Sequence, residues 1–292
     1  MKSMTKRKTI ATLLLICILS VCVLLFSGCS SEDPLAVYDA ACDKMQSSTD
    51  IDYTYSSKCK YFAGEETVSE PESELSCRID LHEDDYDCML LRLGKDRIYY
   101  KDGLLYTNLS FEDEDGKTIA NTKEKCKASR DYIDTTFMAK AALGHKINKN
   151  HIAKAEVDDP LFNSEKTCRF TIKKKYVSQY MKKYFQRDMV DQAPTILGLL
   201  STGARLDEGD LTVEITVGEE GYITSQKARG KMVYAGKKSE ESALTMIMNM
   251  ELTVDSINAG KQISIPNIED YKMTERIDPL DIPVPEELET AD

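Results

Sequence analysis

The chain has 292 residues, of which 41% are hydrophobic and none is tryptophan, and its formal net charge is -12. That length suits one large domain or two small ones. The acidic balance argues against a nucleic-acid partner, which needs a positive footprint, and bears on solubility more than on fold.

Lys2, Lys6, Arg7 and Lys8 open the chain, and an apolar run of 17 residues spans 10–26. This length lies between a signal peptide and a full membrane span. At its end, Phe26-Ser27-Gly28-Cys29 resembles the lipobox of bacterial lipoproteins. That resemblance implies a signal peptide over 1–28 and a lipid-bearing (palmitate) Cys29. It also implies a tether over 29–33 and a protein held at the extracytoplasmic face of the cell membrane. An uncleaved membrane anchor is the alternative.

Six further cysteines lie beyond the lipobox: Cys42, Cys59, Cys77, Cys88, Cys126 and Cys168. An even number in an exported chain fits a disulfide framework, and it equally fits six buried thiols. No CxxC pair supports a zinc ribbon or a thioredoxin-like site.

One domain is expected over 34–275. Residues 34–48 read as an amphipathic helix with Asp33 as cap and Pro34 as its first residue, because Leu35, Tyr38, Ala41, Cys42 and Met45 share a face. A strand comes next with Ile51, Tyr53, Tyr55, Ser57, Cys59 and Tyr61 on one side. Its return strand carries Leu75, Cys77, Ile79 and Leu81. A hairpin centred near Val68 sets Cys59 opposite Cys77, which makes that pair the candidate disulfide. Short strands are expected over 86–93, 96–100 and 104–109, with Lys101-Asp102-Gly103 as a turn. The acidic tip at 112–116 has the local order of a calcium loop but puts Phe111 and Thr122 at the required ligand positions, so it reads as a solvated turn.

Ser129 or Asp131 starts a helix that ends near Gly144. Residues 152–157 fit a strand less clearly, and 167–172 fit one well. A helix over 176–191 carries Val177, Met181, Phe185 and Met189 on one face and Lys182, Lys183 and Arg187 on another. Such a face either packs on a sheet or lies on an anionic bilayer. A short apolar helix is expected over 195–200. The remainder reads as sheet, with strands at 211–217, 222–230, 231–235, 242–255 and 262–265. A Pro- and acid-rich tail over 276–292 ends the chain.

The strand over 242–255 stands out. Leu244, Met246, Met248, Met250 and Leu252 occupy one register and mostly polar residues the other. Unbranched, polarizable methionines suit a surface that accepts several shapes of apolar partner. This stripe is the candidate ligand-binding wall.

The order helix, antiparallel strands, helices, antiparallel strands has no βαβ rhythm. It predicts an α+β fold with one curved antiparallel sheet and helices on one face. The helix with Tyr38, the segments IYYKDGLLYTNL (98–109) and DLTVEITVGEEGYITS (210–225) and the ending LTVDSINAGKQISIP (252–266) together resemble the lipoprotein-carrier superfamily. That resemblance implies an incomplete barrel whose concave apolar face, covered by helices, holds acyl chains. A module with the same fold that senses or binds a protein, without lipid, is the alternative.

No enzyme is expected. His82, His145 and His151 are scattered, HExxH and G-x-S-x-G are absent, and no P-loop or GxGxxG occurs. Neither a metal nor another cofactor is anticipated.

Overall fold

Helix α1 (Pro34–Gln46) buries Tyr38, Ala41, Cys42 and Met45, the face set by the three- and four-residue spacing. Next in the chain are strands β1 (Asp50–Ala63), β2 (Glu66–Ser69), β3 (Glu72–Leu81), β4 (Tyr86–Arg92), β5 (Asp96–Lys101), β6 (Leu104–Glu112) and β7 (Thr118–Lys127). After α2 (Arg130–Phe137) come β8 (Ile152–Asp158), β9 (Lys166–Ile172), α3 (Val177–Tyr184), β10 (Arg205–Val217), β11 (Ile223–Ala235), β12 (Ser242–Ile257) and the two-residue β13 (Lys272–Met273). The computed structural model describes residues 32–82, 86–92, 96–112, 117–137, 139–158, 165–185, 205–235 and 242–275. Residues 1–31 with Cys29, the acidic residues 113–116, the helix expected over 195–200 and residues 276–292 lie outside the described residues.

All thirteen strands belong to one curved sheet that does not close. Its path is β13-β7-β6-β5-β4-β3-β1-β12-β11-β10-β9-β8, with β2 beside β1. Two meanders are thus fused where β12 returns to pair with β1. Their antiparallel register runs from Ile51 opposite Ile257 to Phe62 opposite Thr245. The sheet is mixed rather than wholly antiparallel, because β13 joins β7 in parallel.

Alternation decides the faces. On β12, Leu244, Met246, Met248, Met250 and Leu252 are at most 5% exposed. Asn249, Glu251, Thr253 and Asp255, one residue out of phase, are open to water. The same parity buries Tyr53, Tyr55 and Tyr61 on β1 and Leu211, Val213 and Ile215 on β10. Helix α1 packs against β8–β11 and α3 against β10 and β11, while the 3-10 turn Ala141–Leu143 touches β12. One cluster joins these helical residues to the buried strand rows.

A glycine notch docks α3. A Cβ added at Gly230 would lie 2.2 Å from Met181 Sδ. Met181 therefore fills the space that any side chain at 230 would claim, and Gly230 pairs with Met248 across β11 and β12. Only a residue without a Cβ admits the helix this close.

Asp50 ties the ends of the sheet together. It is 2% exposed. Its carboxylate accepts from Ala259 N at 3.0 Å and Gly260 N at 2.9 Å, and from Thr49 Oγ1 at 3.0 Å. Asn258 (φ 53) and Gly260 (φ 67) hold left-handed backbone that turns these amides toward it. Next to it, Asp52 binds Arg78 through two hydrogen bonds of 2.7 and 3.1 Å and Lys261 at 2.5 Å. Burial alone would raise the Asp52 carboxyl, but these cationic donors outweigh it and hold it below the usual range.

Several expectations need correction. The hairpin after β1 turns at Gly64 (φ 63) rather than near Val68. Consequently Tyr53, not Cys59, lies opposite Cys77, and Tyr55 faces Leu75. Cys59 N bonds Pro71 O, and on its other side Cys59 faces Met248. Cys59 and the partner of Cys77 are six strand residues apart, about 20 Å, far beyond disulfide reach. All six of these cysteines are buried, and none is joined in a disulfide. Residues 262–265 are not a strand. There the chain crosses the other face of the sheet, where Ile263 and Tyr271 pack on Tyr99 and Tyr106 before β13 forms. The helix expected to run to Gly144 stops at Phe137, and the segments expected at 222–230 and 231–235 form the single strand β11.

Two outcomes check this fold. Asp50→Ala strands two backbone amides and should cost about 2–4 kcal/mol, read as a lower urea midpoint at unchanged slope. Burial raises Cys42 to about 11 and Cys77 to about 12. All six thiols should therefore resist alkylation in the folded protein and react on unfolding without a reductant. A peptide joining any two of them would contradict the fold.

Candidate functional site

The buried face carries the stripe, and its cover is thin. Ala141 and Ala142 are buried at the turn that touches β12. Gln226, 1% exposed on β11, donates its Nε2 to Ala141 O at 3.0 Å, so a buried amide fixes the turn over the sheet. Gly144 comes next with φ 76, and a Cβ there would lie 2.8 Å from Cys42 Sγ.

Two tyrosines hold the chain beyond the turn. Tyr38 Oη, fully buried on α1, accepts from His145 N at 2.9 Å and donates to His145 O at 3.1 Å. Tyr180 Oη on α3 accepts from Asn148 N at 3.0 Å and lies 3.1 Å from His151 Nδ1. The His151 ring stacks on Tyr176 with centroids 3.6 Å apart.

A cleft of about 300 Å³ opens at this point. Ala141, Leu143 and Gly144 give it an apolar floor, and Gln46, Asp134, Lys140, His145 and Lys183 a polar rim. Lys140 Nζ stands 3.7 Å from Asp134 Oδ2. Burial raises the Asp134 carboxyl even though Tyr86 Oη donates to it at 2.9 Å. Burial, with Lys183 nearby, lowers His145 to about 4, so its imidazole is neutral at pH 7. The rim thus offers two ammonium groups, one carboxyl and a neutral imidazole.

A second cleft, of about 430 Å³, lies between the turn at 218–221 and the end of β12, with Glu165, Glu219 and Glu220 on its wall. Neither cleft is lined by Leu244, Met246, Met248, Met250 or Leu252. The fold brings those five residues into one buried row, as the alternation predicts, with Ala141–Leu143 touching β12 and Met181 of α3 packed at Gly230, the partner of Met248. Spacing within one strand cannot reveal a roof made by distant segments.

Two features have little mark in the sequence pattern. The buried face is richer in tyrosine than in methionine, and only the alternating Tyr53, Tyr55 and Tyr61 of β1 show it. His82, isolated along the chain, comes together with Asp80 and Asp87 at the β3–β4 turn.

No protein-family profile matches the chain. No curated protein matches it either. Solved structures with a similar layout include LprF from Mycobacterium bovis, 8% identical, over 81% of this chain and 98% of that one, with a TM-score of 0.39. Lipovitellin is 10% identical over 74% of this chain but 26% of its own, with a TM-score of 0.38. The LolA superfamily protein NE2245 from Nitrosomonas europaea is 10% identical over 75% of this chain and 91% of its own, at 0.22. Likeness of this degree says nothing of a ligand or partner for this chain. Among the described residues no helix is long and apolar enough to cross a membrane.

The neutral His145 sets a pH test. Its folded value lies below the ordinary 6.5, so the unfolded chain binds the extra proton first. The associated stability is complete above about 6.5 and is lost as pH falls toward about 4. Urea midpoints should fall across that window, and fall less in His145→Gln. Asp52, held low, acts only in the more acidic carboxylate range. Parallel curves for the two proteins would contradict the assignment.

Proposed function

We propose that the protein is a non-enzymatic, lipid-anchored binding module that carries an apolar, acyl-chain ligand between its sheet and helices. In this reading residues 1–28 are a signal peptide, and Cys29 anchors the domain to the extracytoplasmic face of the membrane. The ligand's chain lies against Leu244, Met246, Met248, Met250 and Leu252, and its polar end sits at the Lys140–Lys183 rim.

One observation carries the reading. The short turn Ala141–Leu143, two of whose three residues are alanines, both touches β12 and lines the amphipathic cleft. Small residues lose little packing energy when displaced, since each methylene is worth about 0.8 kcal/mol. Movement of the turn would join the cleft to the methionine wall. Methionine, with three rotatable bonds, can then repack around a chain.

The full burial of the stripe favours a second reading. With the wall filled by the protein's own helices, the same fold serves as an anchored interaction or sensing module that binds no lipid.

A secreted form, lacking 1–28 and carrying Cys29→Ser, separates the two. The first reading expects co-purified lipid in native mass spectra, or saturable uptake of a fluorescent fatty acid. It also expects Ala142→Leu, which thickens the roof, to weaken uptake. Absence of both lipid and uptake, with a stoichiometric protein partner recovered from solubilised membranes, would overturn the carrier reading in favour of the second.

A further inference from the structure

On the face of the sheet opposite the methionine row, three aspartates stand side by side. Asp50 pairs directly with Asp80 across β1 and β3, and Asp80 pairs directly with Asp87 across β3 and β4. Like charges directly opposite one another destabilise a sheet. Two of the three charges are compensated. Asp50 accepts the amides of Ala259 and Gly260. Asp87, whose side chain is only 8% exposed, accepts from Lys101 Nζ at 2.6 Å through Oδ2. Asp80 lies between them and, among the described residues, its carboxylate has no hydrogen bond or close ion pair, with Lys101 acting on it only at longer range. His82, just past the end of β3, brings its Nε2 to 3.7 Å from Asp87 Oδ2.

Donor atoms of Asp80, His82 and Asp87 all lie within 4.8 Å of one another. Three donors on one ion, each about 2.0–2.2 Å from it, stand about 3.0–3.6 Å apart, so a pair at that limit closes by about 1 Å or more when an ion binds. The two carboxylates sit on paired strands and are held by the ladder. The imidazole, half-exposed at the strand end, can complete the set.

We propose that Asp80, His82 and Asp87 form a binding site for a divalent transition-metal ion of the zinc class, with Lys101 as the cation that occupies its place when no metal is bound. Two carboxylates and one imidazole, with no thiolate, suit zinc or manganese, and the remaining positions are left for water or an outside ligand. The ion neutralises the central carboxylate, which the fold leaves without a directly bonded cation. The ammonium of Lys101 hydrogen-bonds Asp87 and acts on Asp80 only at longer range, so it competes with the metal without replacing it. The site lies on the other face from the proposed lipid wall and is independent of it.

The test is calorimetric titration of the detergent-purified full chain with Zn²⁺, in parallel with Ca²⁺. One saturable Zn²⁺ site is expected, with a metal-dependent rise in melting temperature. His82→Ala and Asp80→Asn should each weaken binding by about tenfold or more. Lys101→Met should tighten it by removing the competing cation. Asp80→Asn relieves repulsion and His82 is exposed, so both variants keep the metal-free melting temperature, and loss of fold cannot mimic loss of the site. No Zn²⁺ binding to the wild type and Lys101→Met would overturn the proposal. So would Zn²⁺ binding unchanged by His82→Ala and Asp80→Asn, or Ca²⁺ binding that does not need His82.

Discussion

The pairing of β1 with β12 is the constraint on which the rest depends. Apart from the two-residue β13–β7 pairing, each half of the sheet is a meander of consecutive strands, but the β1–β12 ladder joins residues about two hundred positions apart. Loop closure on that scale costs entropy, and only a long, well-registered pairing can offset it. The register is fixed twice. Burial of alternate residues on both strands forbids a one-residue slip, which would turn the methionines and tyrosines outward. At the end of the ladder the Asp50 carboxylate holds the turn at 258–260, a contact specific to a single alignment.

From that ladder the two faces acquire different chemistry. The inner face is broad and apolar, so it must be covered, and α1, α3 and the Ala141–Leu143 turn cover it. The cover is specified by small features. Gly230 receives Met181, Gly144 passes close to Cys42, and the buried Gln226 pins one carbonyl. Buried hydroxyls of Tyr38 and Tyr180 supply the polar partners that the loop backbone requires. The outer face is charged and organised in cross-strand rows, with Arg78 and Lys261 around Asp52 and Lys101 beside Asp87.

Much of this is legible in the sequence, because strand burial is written in alternation. The stripe of β12, the rows of β1 and β10, the amphipathic α1 and the Lys101-Asp102-Gly103 turn all come from local pattern. Register across a loop is not legible. A glycine at 64 moves the hairpin by several residues and separates Cys59 from Cys77, since any of several polar positions from 64 to 71 could have turned the chain. The parallel β13 and the strap over Tyr99 and Tyr106 are hidden because a two-residue strand has no periodicity. The grouping of Asp80, His82 and Asp87 depends on which strands become neighbours. Likewise, the segments that pack on the methionine row, Ala141–Leu143 and Met181, are distant along the chain.

The central claim is that the methionine wall is a ligand surface under a movable cover rather than a permanently sealed core. Methyl-labelled methionine NMR during titration with a long-chain fatty acid tests it at the atoms concerned. The account predicts that the Met246, Met248 and Met250 methyl signals shift or exchange while the exposed Met273 stays unchanged. Fixed signals for those three at saturating ligand, or a shift of Met273 alone, would contradict it.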